Sequence, residues 1–492
     1  MKLIYGVKDR PKPAQLLLFA LQQLLAILAA TITVPMVINS KYGFANMSPS
    51  AALFGAGVGT LVYLLFTKFK SPVFLGSSFA FLGSMLSAFA GGVSASLGYI
   101  GLLLGAVFAG AVYVIIAVAV KFAGVKWIDK IMPAVVIGPT VAIIGLSLAG
   151  NAVGQAVSGV FDTDASAYVM TLNSGLCLLC GLATLATTVV CSVYGKKFLK
   201  MIPFVMGILA GYILAAVFTA FSYIEGAEAM RIIDFTKFAD MQWYPDFAFV
   251  SAFGEIDPGD SSVGAYIGTI AVAYIPVAFV VFAEHIADHK NISSIIESDL
   301  LSDPGLSRTL LGDGVGSIAG ALFGGCPNTT YGESVGCVAI SGNASVVTIF
   351  VTALMAIIFS FIAPFVTFLS TIPDCVMGGV CIALYGFIAV SGLKMVQKTN
   401  LGDNRNLFVV SVILITGVGG MSLKFGPIIL TEVACALILG ILTNILVNIK
   451  TKNGDGNEQL TIEDAENLNS AEEQPAVNEN AQAENLKDTE EK

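Results

Sequence analysis

His285 and His289 are the only imidazoles in a chain of 492 residues, and both stand in the stretch VVFAEHIADHKN (280–291) beside Glu284 and Asp288. On a helix Glu284 and Asp288 share a face as an i, i+4 pair, and the histidines form a second such pair rotated by about 100°. Four groups of this kind at the end of an apolar run can exchange protons, accept hydrogen bonds from a polar substrate, or ligate a metal. The order Glu-His-x-x-x-His lacks the glutamate set between two histidines that a His-Glu-x-x-His metalloprotease uses as general base. Nor does the sequence indicate a third protein ligand for a metal held by the pair. A membrane enzyme or metal-binding protein built on the histidines therefore stands as the remote alternative. Glu333 joins the candidates, because a lone carboxylate at membrane depth costs about 2.5–3.5 kcal/mol and requires a compensating role. That role is either substrate or proton binding, or a buried structural hydrogen bond.

The elements that carry these residues are set by composition. The chain is 56% hydrophobic and 12% charged, with a mean hydropathy of +0.83, too apolar for a water-facing surface and broken into long charge-free runs. It reads as an all-α polytopic membrane protein. No cleavable leader is expected, since four basic residues between Lys2 and Lys12 lead straight into a full-length apolar run. The formal charge of -9 comes from the tail, where residues 453–492 hold twelve acidic residues against two lysines. That tail lacks the apolar content to fold and reads as a disordered acidic cytoplasmic segment over 450–492. The eight cysteines (177, 180, 191, 326, 337, 375, 381, 435) lie mostly in apolar segments and read as small buried hydrophobes.

Apolar windows fall near 14–36, 50–67, 98–120, 132–150, 170–194, 201–222, 263–287, 309–324, 343–368, 372–393, 406–422 and 427–449, with broken ones at 72–90 and 326–341. Together they make fourteen crossings. With the N-terminus inside, all but Lys41, Arg231, Lys237 and Lys424 of the 25 Lys and Arg fall on the cytoplasmic side, as the positive-inside rule asks. Clusters such as Lys68/Lys70, Lys121/Lys126/Lys130, Lys196/Lys197/Lys200 and Lys394/Lys398/Arg405 carry this assignment. The expected organisation is a cytoplasmic N-terminus (1–13), a first seven-segment repeat (14–222), an acidic extracellular loop (223–262), a second repeat (263–449) and the tail. Both termini are then cytoplasmic in a multi-pass cell-membrane protein.

Seven is odd, so the second repeat starts from the opposite face, which is the arrangement of an inverted repeat in transporters. The two broken segments occupy third place in each half. GSSFAF (76–81) and NTTYGE (328–333) both set small hydroxylated residues before an aromatic. Each is expected to enter as a short strand and continue as a half-helix, with its backbone satisfied by protein or a cavity. Two glycine-kinked packing helices are the plain alternative, and a channel is the alternative to a gated, ion-coupled site.

The motifs ATITVP (30–35), GSSFAF (76–81), AEHIADH (283–289), DPGLSRTLLGDGVGSIAGALFGG (303–325), PNTTYGESVG (327–336) and VMGGV (376–380) resemble the uracil-permease branch of the nucleobase:cation symporter-2 (nucleobase-ascorbate transporter) family. The resemblance covers the membrane portion and leaves out the tail. It implies core and gate domains built from two inverted seven-segment repeats, proton-driven uptake of a nucleobase, and a homodimer. The coupling ion is H+, with no cofactor, no metal and no nucleic-acid partner. The family's substrate-contacting positions match Glu284, Glu333, Gly332 and Phe79, with Tyr331 a further ring that could face the base.

Uracil presents two N–H donors and two carbonyl acceptors, so two carboxylates and the backbone N–H groups near Phe79 and Gly332 suit it. The proton-coupling candidates are Glu284, Asp288, His285 and His289. Asp288 stands where some members have histidine, Ser334 replaces the usual Asn after Gly-Glu, Ser341-Gly342 replaces a Thr-Arg type ending, and Gln22-Gln23 replaces Gln-His. Purine branches commonly carry Gln where Glu333 stands, so uracil is favoured over the xanthine or urate alternative.

Overall fold

The computed structural model describes residues 3–124, 133–196, 198–225, 227–239, 241, 243–259, 262–425 and 428–448. The acidic tail at 450–492 lies outside the described residues, as do Lys2, Lys126, Lys130 and Lys197 of the basic clusters.

Helices dominate because a backbone in hydrocarbon must satisfy its own polar groups. In chain order they are α1 (Pro13–Lys41), α2 (Pro49–Phe66), α3 (Leu82–Ala88), α4 (Ala95–Ala123), α5 (Ala134–Ser147), α6 (Ala149–Val157), α7 (Leu172–Tyr194), α8 (Pro203–Phe221), α9 (Val263–Ile296), α10 (Leu306–Gly324), α11 (Gly332–Ser341), α12 (Val346–Phe359), α13 (Ala363–Ser370), α14 (Asp374–Gln397), α15 (Asn404–Val418) and α16 (Glu432–Asn448). Proline opens α1, α2 and α8, where its missing N–H is no loss. Ser48, Ser94 and Ser262 cap α2, α4 and α9 through their side chains. Among the described residues, eight spans are long and apolar enough to cross a membrane, or nine with the bent pair α12–α13. The protein is a multi-pass membrane protein.

Three departures from the sequence reading stand out. The window at 343–368 is not one straight helix: α12 and α13 meet at 82°, at a break that Pro364 follows. The helix carrying Glu284 runs on to Ile296, so Glu284 lies twelve residues from its end rather than one turn from it. Short strands also occur outside the broken segments, as hairpins of β2 (Val160–Asp162) with β3 (Ala167–Val169) and β5 (Leu423–Phe425) with β6 (Ile428–Leu430).

Packing sorts the helices into two sets. In the first, α10 packs on α2 and α4, α9 on α4, and α12 on α1 and α2; in the second, α14 packs on α5, α6 and α7, α8 on α7, and α15 on α5 and α16. The α2–α10 contact is a close backbone approach. A Cβ on Gly55 would lie 2.3 Å from the Gly320 carbonyl oxygen, and one on Gly324 would lie 2.7 Å from that of Ala51. Small residues at four-residue spacing allow this approach, as they do between helices in membranes generally.

Packed against the first set are the broken segments. β1 (Leu75–Ser77) pairs antiparallel with β4 (Asn328–Thr330), with Leu75 opposite Thr330, Gly76 opposite Thr329 and Ser77 opposite Asn328. All six residues are buried. Neighbours satisfy the strand edges: Thr60 Oγ1 accepts from Leu75 N (2.9 Å) and donates to Leu75 O (3.1 Å), and Ser334 Oγ accepts from Phe74 N (3.1 Å). The expected strand-then-half-helix is thus present in both segments. Their direct pairing with each other is a tertiary feature.

Candidate functional site

Where the strand pair gives way to half-helices, a cavity of about 410 Å³ opens, a size suited to a small molecule. The β1–α3 turn contributes Ser78, Phe79 and Ala80; β4 and the start of α11 contribute Thr329, Thr330, Tyr331, Gly332 and Glu333. Glu284, Ala287 and Asp288 of α9 line a third side. The opposite wall is apolar and comes from the second helix set, with Phe204, Leu384, Phe387 and Ile388 foremost.

The structure therefore brings Phe79, Glu284, Asp288, Tyr331, Gly332 and Glu333 onto one cavity. Asp288 is held by Thr330, whose hydroxyl donates to Oδ2 at 2.8 Å. Tyr331 is fixed from behind, its hydroxyl donating to the Ser77 carbonyl at 2.8 Å. Its ring fills the space over Gly76, where a Cβ would come within 2.4 Å of two ring carbons. Phe79 meets the Tyr385 ring edge-on at 5.9 Å. Because α3 begins only at Leu82 and has seven residues, Phe79 lies in the turn before it and offers its ring, not a helix N-terminus. At α11 the expectation stands: Gly332 is its first residue, and Glu333 is in its first turn.

The histidines go elsewhere. Both are fully buried on the far side of α9. His285 Nδ1 lies 2.7 Å from Asp313 Oδ2 and its Nε2 lies 3.0 Å from Thr309 Oγ1. His289 donates from Nδ1 to the His285 carbonyl (2.7 Å) and places Nε2 2.6 Å from the Tyr63 hydroxyl. Among the described residues no cluster of three His, Cys, Asp or Glu could hold a metal ion. The eight cysteines are buried and free. Sequence reasoning passed over Asp313, although a carboxylate inside a glycine-rich span is the same signal that singled out Glu333. The apolar wall carries no sequence signal at all.

Three carboxyl groups in one cavity, faced by apolar and aromatic side chains, can accept several hydrogen bonds from a planar polar solute and hold protons among themselves. The model of the xanthine/uracil permeases, described as the Permease family, matches residues 14–425. The chain belongs to this permease family. The permease is 38% identical over 467 residues to the "Uracil permease" of Bacillus subtilis, covering 94% of this chain and 99% of the relative. With the "Uracil permease" of Bacillus caldolyticus it shares 37% over 452 residues, 91% and 95% of the two chains, and with that of Escherichia coli K12 33% over 463 residues, 94% and 98%.

Among solved structures, the murine solute carrier 26 family member A9 anion transporter, in its inward-facing state, aligns with a TM-score of 0.61 at 14% identity, over 92% of this chain and 73% of that one. The transmembrane domain of the cyanobacterial bicarbonate transporter BicA aligns with 0.53 at 13% identity, over 89% and 99%. These similarities establish a shared fold. The permease is a transporter, not an enzyme.

Proposed function

We propose that this permease takes up uracil together with protons across the cytoplasmic membrane, by alternating access. The observation that carries the reading is the single cavity shared by Glu284, Asp288 and Glu333 at the crossing of two broken segments. Glu284 and Glu333 accept the two N–H groups of uracil, backbone N–H groups at the start of α11 serve a carbonyl, and the rings of Phe79 and Tyr331 offer apolar faces. A proton on Glu284 or Asp288 reduces the charge buried in the cavity and favours the loaded outward-facing state. Release follows in the cytosol, where protons are scarcer. The names of the uracil permeases similar to this chain support the substrate.

The fourteen-segment inverted repeat belongs to the same proposal. Its support is that segments three and ten, the third of each half, share one local design and pair antiparallel. The two helix sets correspond to core and gate domains. Repeats at 14–222 and 263–449, an extracellular loop at 223–262, cytoplasmic ends at 1–13 and 450–492, and a homodimer complete it. Under this topology the cavity walls from the first turn of α8 and the second half of α14 lie toward the cytosol, which makes the conformation inward-facing.

The test is uptake of labelled uracil into proteoliposomes with and without an imposed inward proton gradient, with unlabelled xanthine as competitor. Gradient-stimulated uptake that xanthine leaves unchanged is expected. Blockade by xanthine would move the substrate to purines, and uptake indifferent to the gradient would remove the proton.

A further inference from the structure

One buried pair of titratable groups, His285 and Asp313, has no part in the cavity described above. Protons can be assigned around it from the geometry. The carbonyl of His285 can only accept, so His289 Nδ1 carries hydrogen. His289 Nε2 faces the Tyr63 hydroxyl, which also lies 2.7 Å from Ser71 Oγ. Thr309 directs its own proton to the Leu306 carbonyl at 3.0 Å, so His285 Nε2 donates to Thr309. What remains between His285 Nδ1 and Asp313 Oδ2, 2.7 Å apart, is one shared proton. It makes the pair either a neutral acid on a neutral imidazole or a carboxylate on an imidazolium.

We propose that Asp313 and His285 form a second proton-binding centre of the transport cycle, one helix layer behind the cavity. A carboxyl whose task was only to pin a histidine would be expected to have both oxygens bonded. Among the described residues Asp313 Oδ1 has no hydrogen-bond partner, and the Tyr113 hydroxyl and Ser317 Oγ, also buried, have none either. The groups facing the pair are Tyr63 from α2, Tyr113 from α4, and Glu284, Asp288 and His289 from α9. A negative charge on Asp313 would act on Glu284, on Asp288 and on Tyr113. The two imidazole rings stack at 4.0 Å, so charge on one is felt by the other. Proton occupancy behind α9 is thereby coupled to the charge state of the cavity in front of it, as interacting sites titrate together. When Glu284 is a carboxylate, the pair retains its proton; when Glu284 takes up a proton, the pair can yield its own.

The inference rests on the proton-coupled reading above, and the experiment separates the two. Native protein and Asp313→Asn are reconstituted and assayed for uracil counterflow without a gradient and for accumulation under an inward proton gradient. The pH profile of the uptake rate is recorded alongside. Asp313→Asn is expected to keep counterflow within about threefold of native while accumulation falls at least about tenfold and the pH profile flattens. A parallel loss of counterflow and accumulation, or an unchanged pH profile, would overturn the proposal and leave the pair structural. Should Asp313→Asn not fold, His285→Gln is read by the same criteria. Absence of gradient stimulation in the native protein would instead remove the proton-coupled reading itself.

Discussion

At the scale of residues, two i, i+4 pairs that adjoin in sequence take opposite roles because a helix has faces. Glu284 and Asp288 look into the cavity, and His285 and His289 look into the packed interior of the first helix set. Glu284→Gln is expected to lower gradient-driven uracil accumulation by at least about tenfold, because the amide can still hydrogen-bond but cannot exchange a proton. Proteoliposome uptake measures it, and native accumulation by the variant would take Glu284 out of coupling. Thr330→Val removes the hydroxyl that holds Asp288. Loss of one hydrogen bond to a charged group, worth about 1.5–3 kcal/mol, should weaken substrate binding without abolishing expression, as titration calorimetry with uracil would show. The two pairs were legible in the sequence, but which pair met the cavity was not. Helical spacing gives the angle between faces and says nothing of what each face touches.

At the scale of elements, the site depends on two three-residue strands that hold each other in a setting where an open strand edge is costly. Thr60 closes one edge with both its donor and its acceptor. Thr60→Val, equal in shape, leaves a buried N–H and C=O unpaired at about 1–3 kcal/mol each. The variant should unfold in detergent at a clearly lower temperature than native protein, and an unchanged melting point would show that the edge finds another partner. The contact of α2 with α10 is stricter, since Gly55 and Gly320 leave no room for a side chain. Gly320→Leu is expected to prevent the pair from closing, at a cost above the roughly 1–3 kcal/mol typical of overpacking, and to appear as loss of monodisperse protein in size-exclusion chromatography.

For the whole molecule, the cavity has one wall on each helix set, so relative movement of the sets must change access to it. Ser391 of α14 lines the cavity and is exposed, whereas the eight native cysteines are buried. Ser391→Cys should therefore react with a membrane-impermeant maleimide in inside-out vesicles and not in right-side-out ones, and uracil should protect it. Labelling from the outer face would reverse the proposed orientation. Bilayer-embedded packing also explains why many large apolar side chains, among them Phe122, Ile213 and Ile415, are exposed on the protein. These side chains meet lipid, so the pattern is no sign of a missing partner.

Hydropathy by itself determined that the chain crosses a membrane many times, and the matched GSSFAF and NTTYGE stretches determined that two of its segments begin as strands. Both follow from local rules: about 20 apolar residues span hydrocarbon, and small hydroxylated residues with aromatics favour extended entry. The carboxylates Glu284 and Glu333 were visible because charge at membrane depth is costly wherever it occurs. Only tertiary structure decided that the strands pair with each other, that α12 and α13 bend apart, that Asp313 takes His285, and that Phe204, Leu384 and Phe387 form the facing wall. Apart from the bend, these are contacts between residues distant in the chain, and apolar side chains carry no mark of which neighbour they will meet.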